Sequence, residues 1–152
     1  MRKIGRGLSQ IILLGVMVSV IGCSLLEQRF KVEGSAMEPT LKPGTTVTAH
    51  KADQYKRGDI IVFEYPLDRQ RIFLKRIVGL PGETLEIKDG KVFINGQPLN
   101  EPYVLEPAKS TTLATTVPPD NFYVLGDNRN HSNDSRDWGT VEREYIRGVV
   151  RE

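Results

Sequence analysis

The chain has 152 residues, enough for one hydrophobic core and too few for two, since single domains cluster at roughly 100–150 residues. Its formal charge is +2 and the basic residues are scattered, which excludes the concentrated electrostatic footprint of a nucleic-acid binder. Cys23 is the single cysteine and His50 and His131 are the only histidines, so neither an intrachain disulfide nor a Cys/His zinc site can be built.

The first element is apolar. Arg2, Lys3 and Arg6 precede LSQIILLGVMVSVIGCSLL at residues 8–26, and no acidic residue occurs before Glu27. About twenty mainly apolar residues span a bilayer as a helix, and this run reaches that length. The positive-inside rule then keeps the N-terminus in the cytoplasm and puts everything after Glu27 on the outer face of a cytoplasmic membrane of the bacterial type. A second reading uses the same residues: VIGC at 20–23 is similar to the site where a bacterial lipoprotein is cut and anchored through its cysteine, here Cys23. Either way residues 1–29 form a cytoplasmic stub and membrane anchor, and 30–152 form the folded domain.

From Val32 onward short β-rich runs alternate with turn dipeptides, and no long segment keeps a helical period. The expected strands are TTVTAH (45–50), DIIVFEY (59–65), RIFLKRIVGL (71–80), ETLEIK (83–88), KVFING (91–96) and NFYVLG (121–126). Asp89-Gly90 and Asn95-Gly96 mark turns that need positive φ. Residues 105–120, rich in proline and threonine, read as a loop with room for an edge strand. The expected fold class is all-β, preceded by one transmembrane helix.

Three segments carry polar residues that strand formation does not require. In FLKRIVGLPGE (73–83), alternation puts Phe73, Lys75 and Ile77 on one face and Leu74, Arg76 and Val78 on the other. A lysine among apolar neighbours has its ammonium form disfavoured, as a general base near neutral pH requires; the plain alternative is an edge-strand lysine that discourages aggregation. In GDNRNHSNDSRDWG (126–139), Asp127, Asn128, Asn130, Asn133 and Asp134 suit a turn-rich loop, with Asp134 or Asp137 pairing to Arg129 or Arg136. The spacing of Asp127, His131 and Asp134 matches no standard metal site. The third segment is VEGSAMEPTL (32–41).

In this order the segments resemble the type I signal peptidases, membrane-bound serine peptidases with a Ser–Lys dyad. VEGSAMEPTLKPGTTV is similar to the family's nucleophile segment, RGDIIVF (57–63) to its next strand motif, LKRIVGLPGE to its lysine segment and GDNRNHSNDSRDWG to its last box. The resemblance covers nearly all of residues 30–149 and points to the compact form of the family, with 30–152 as the catalytic domain. It implies that Lys75 is the general base, that Met37 lines the substrate groove, and that Ser132 orients the lysine amine. Arg76, Asp127, Asp134 and Arg136 would form the supporting network. It also implies exported pre-proteins carrying signal peptides as substrates, cut after a small residue, a lipid bilayer as the working surface, and no metal or organic cofactor.

One position departs from that pattern. The serine expected directly before the methionine is Ala36, which has no atom able to attack a carbonyl. Ser35 is a candidate displaced nucleophile, but one step along an extended chain turns a side chain to the opposite face. Ser132 is the other hydroxyl expected near Lys75. Two readings follow: a signal peptidase I-like serine endopeptidase, or a catalytically inactive homologue that binds exported peptides or partner proteins.

Overall fold

The computed structural model describes residues 27–151. The run at 8–26, with both the transmembrane helix and the Cys23 alternative, lies outside them; among the described residues no helix is long and apolar enough to cross a membrane. Eleven strands form two antiparallel sheets. The larger holds β1 (Gln28–Lys31), β2 (Thr46–His50), β3 (Ile60–Tyr65), β4 (Asp68–Gly79), β9 (Asn121–Leu125), β10 (Val141–Glu142) and β11 (Ile146–Val150), ordered β1-β2-β11-β3-β4-β9-β10. The smaller holds β5 (Thr84–Lys88), β6 (Lys91–Ile94), β7 (Gln97–Pro98) and β8 (Thr112–Thr116), ordered β7-β6-β5-β8. A single turn of helix, α1 (Ser135–Trp138), and a 3-10 turn at Arg143–Tyr145 complete the domain.

Sequence explains the central strands. IIVFE in β3 is buried throughout because β4 and β11 flank it and both of its faces are covered. Ile61 and Phe63 join Ile77, Phe122, Val124 and Val149 in one apolar cluster, while Val78 and Leu125 pack with Leu85, Ile87, Val92 and Val117 in another. A third cluster, Val32, Met37, Leu41, Val47 and Ile60, anchors the segment that follows β1. The hairpin joining β5 to β6 turns at Asp89 and Gly90, with φ of 50° and 74°, as the dipeptide requires.

The structure adds elements that sequence analysis does not contain. β1 reads QRFK, mostly exposed and charged, and begins at Gln28, ahead of the boundary expected at residue 30. β11 is interrupted by Gly148, where any Cβ would meet the His50 backbone within about 3 Å. A glycine that admits a neighbouring backbone weakens the alternation by which a strand is recognised. The threonine-rich stretch does contain its edge strand, β8, paired to β5.

Candidate active site

β4 is paired on one side to β3 along residues 72–76, but β9 covers its other side only from Arg76 onward. The outer half of β4 therefore has a free backbone edge among the described residues, and Lys75 is the last residue before that edge closes. The expected alternation holds: Lys75 lies across from Ile61, with Phe73 and Ile77 of the same cluster on either side. Its side chain is buried, its Nζ donates to the Leu74 carbonyl at 3.1 Å, and it sits 5.2 Å from the centre of the Phe73 ring. Burial lowers its pKa from 10.5 to about 8, against the opposing pull of the Asp134 carboxylate. A useful fraction of the amine is then neutral near physiological pH.

A groove of about 560 Å³ runs along this edge. Five consecutive residues, Arg71 to Lys75, form one wall; Phe30 to Gly34, Ala36 and Met37 form the other, with Val62 and Asn133 between. Ala36 thus shares the cavity with Lys75, whereas Ser35 does not line it. The local chain is not extended, contrary to the assumption by which Ser35 was set on the opposite face. It turns: the Glu38 N–H donates to the Ser35 carbonyl at 3.1 Å and the Leu41 N–H to the Met37 carbonyl at 2.9 Å. Met37, 2% exposed, pins that turn in the core. Asn128 holds it from the other side, its side chain donating to the Ser35 carbonyl at 3.2 Å and its backbone N–H to the Ala36 carbonyl at 3.0 Å. Gly126 has no room for a Cβ, which would collide with the Ala36 carbonyl and Ser132.

The loop that supplies Asn128 is fixed by buried charge pairs. Arg76 forks Asp127 at 2.8 and 2.7 Å and donates to the Gly58 carbonyl at 2.7 Å, while Thr40 donates to Asp127 at 2.5 Å. Asp134 receives both arms of Arg136 at 2.8 Å and the Gly126 N–H at 3.1 Å, and it caps α1. Arg129 does not pair with Asp134 or Asp137 as one option had it. It forks Glu101 at 2.9 and 2.7 Å, a partner from a stretch without any periodic pattern. Thr40 and Glu101 are contributors that sequence reasoning missed; Asn128 was noted only as a turn former. Ser132 Oγ is buried with no hydrogen-bond partner among the described residues, and no bond joins it to Lys75.

Fold and groove together define a β domain that presents a free strand edge ending at a desolvated lysine. The chain belongs to the type I signal peptidases: the family described as "Signal peptidase, peptidase S26" matches residues 5–152. It is 40% identical over 159 residues to a signal peptidase I of Leptolyngbya laminosa, covering 95% of this chain and 75% of that one. With a signal peptidase I of Bacillus licheniformis it shares 32% identity over 154 residues, covering 91% and 82%. The crystal structure of a signal peptidase I from Enterococcus faecalis is similar at a TM-score of 0.60 and 34% identity, spanning 65% of this chain and 98% of that one. The all-β class expected from sequence holds in the coarser form of a mostly β fold with one short turn of α-helix and one 3-10 turn among the described residues, in agreement with that likeness.

Proposed function

We propose that the groove receives exported pre-proteins at a membrane surface, holding the segment around the signal-peptide cleavage site in extended form, and that this chain binds that segment without cutting it. The observation that carries the reading is the groove's composition: Lys75 and Ala36 both line it, and no serine or threonine is among the described residues that do. An unpaired strand edge accepts a peptide as one more strand, with main-chain hydrogen bonds giving affinity and side-chain pockets giving selectivity. Lys75, lowered to about 8 by burial, is neutral in a minor fraction near physiological pH, the form that a general base uses. A nucleophile must approach its base to about 3 Å, and the methyl of Ala36 offers nothing to deprotonate. The polar pairs of Arg76 with Asp127 and of Arg136 with Asp134 hold the loop that grips residues 35 and 36.

A second reading, the active serine endopeptidase, has one observation in its favour. Ser132 Oγ is buried without a partner, a costly state for a hydroxyl that would be relieved by a bond made only with substrate in place.

Binding is tested with the detergent-solubilised full chain and a precursor peptide carrying a photo-reactive residue near its cleavage site. Cross-links should map to residues 30–37 and 71–75; cross-links confined to the smaller sheet would contradict the groove.

A further inference from the structure

Arg71 stands at the far end of the wall that carries Lys75. It shares a face of β4 with Phe73 and Lys75, and at about 3.3 Å per residue lies on the order of 13 Å from the lysine. Its guanidinium carbon is 5.4 Å from the Tyr65 ring centre and 5.1 Å from that of Phe73. Those rings stack at 4.5 Å with planes 12° apart, so they form one fixed platform. The near-equal distances put the guanidinium beside the ring pair, which limits where it can lie, and no carboxylate among the described residues occupies its N–H groups.

Most other arginines have that edge filled. Arg57, Arg69, Arg76, Arg129, Arg136, Arg143 and Arg147 each hold a carboxylate. Arg71 is exposed and holds none among the described residues, and the same is true of Lys31 on the facing wall. Glu33 is the sole carboxylate lining the groove and lies nearer Ala36 in the chain.

We infer that this outer end of the groove is a specificity subsite for an acidic side chain of the bound peptide, carried by Arg71 where it lies beside the Tyr65 and Phe73 rings. The inference rests on the groove receiving an extended peptide, and adds a charge preference to that reading. An extended peptide has the same rise as β4, so the acidic residue falls about four positions from the one seated at Ala36.

The test uses the full chain in neutral detergent and two labelled peptides of about twelve residues. Both contain Ala-Gln-Ala; they differ only in having Glu or Gln both about four residues before and about four residues after the second alanine, so that either peptide direction is covered, and affinity is read by fluorescence anisotropy. An exposed but preorganised ion pair predicts about fivefold tighter binding of the Glu peptide at low salt, shrinking at about 0.5 M salt. Arg71→Gln should bring the ratio of Glu-peptide to Gln-peptide affinity to about one, and Arg71→Glu should favour a Lys peptide instead. Equal affinities for two peptides that both bind would overturn the subsite and leave the groove intact; failure of both to bind would overturn both. Displacement of both peptides alike by short-chain phosphatidylglycerol, lost in Arg71→Gln, would assign Arg71 to a lipid headgroup and also overturn the proposal.

Discussion

At the scale of single residues, Lys75 is held at a cost. Its amine titrates near 10.5 in an unfolded chain and near 8 in the folded one. Between those values the unfolded state binds more protons, so this group's contribution to stability rises with pH from about 8 to about 10.5. Below that window the buried ammonium is a fixed penalty. Lys75→Met should therefore be the more stable protein at pH 7, by on the order of 2 kcal/mol after the lost bond to Leu74 is counted, with the advantage vanishing near pH ~9.5 and reversed by about pH 10.5. Urea unfolding across that range checks this, and equal stabilities at pH 7 would contradict it. Alternation put Lys75 on one face with Phe73 and Ile77 but left open whether it was a buried base or an edge-strand lysine; only the folded chain shows it buried. The placement of Ser35 was not legible: the rule that excluded it assumes extended chain, and hydrogen bonds made by Ser35, Met37 and Asn128 curl that segment into a turn.

At the scale of elements, the loop after β9 depends on charges that have left water. Asp134 is fully buried and accepts from Arg136, the Gly126 N–H and the first turn of α1. Removing one member of such a pair strands the other, so Asp134→Ala should cost about 3–5 kcal/mol in urea unfolding. A loss below about 1 kcal/mol would show that the loop is held by its backbone instead. Gly79 is a packing constraint of another kind. A Cβ there would lie 2.9 Å from that of Tyr123 and 3.1 Å from a Val117 methyl, so Gly79→Ala should destabilise by about 1–3 kcal/mol where β4 meets β9. Periodic apolar runs such as IIVFE announced their strands; β1 and β11 did not, the one being a charged edge and the other broken by Gly148. The pairing of Arg129 with Glu101 was equally hidden, since 28 residues separate partners that only the folded chain brings together.

At the scale of the whole molecule, the large sheet places two distant segments on either side of one groove. Residues 32–37 arrive from β1, residues 71–75 from the half of β4 that is paired on one side only, and the loop after β9 ties residues 35 and 36 to Arg76, next to the second. The four motifs that identified the family fall around this groove, which is why their order in the sequence was informative before any contact was known. In the proposed reading the groove lacks only a hydroxyl at residue 36. Ala36→Ser adds one oxygen at a half-buried position and should leave the fold unchanged. The most direct measurement incubates the detergent-solubilised protein with an exported precursor and reads the products by mass spectrometry. The account predicts no cleavage by the chain as it stands, cleavage after a small residue by Ala36→Ser, and loss of that cleavage when Lys75→Ala is added. Cleavage by the unaltered chain that disappears with Lys75→Ala would contradict it and assign the nucleophile to another hydroxyl, Ser35 or Ser132.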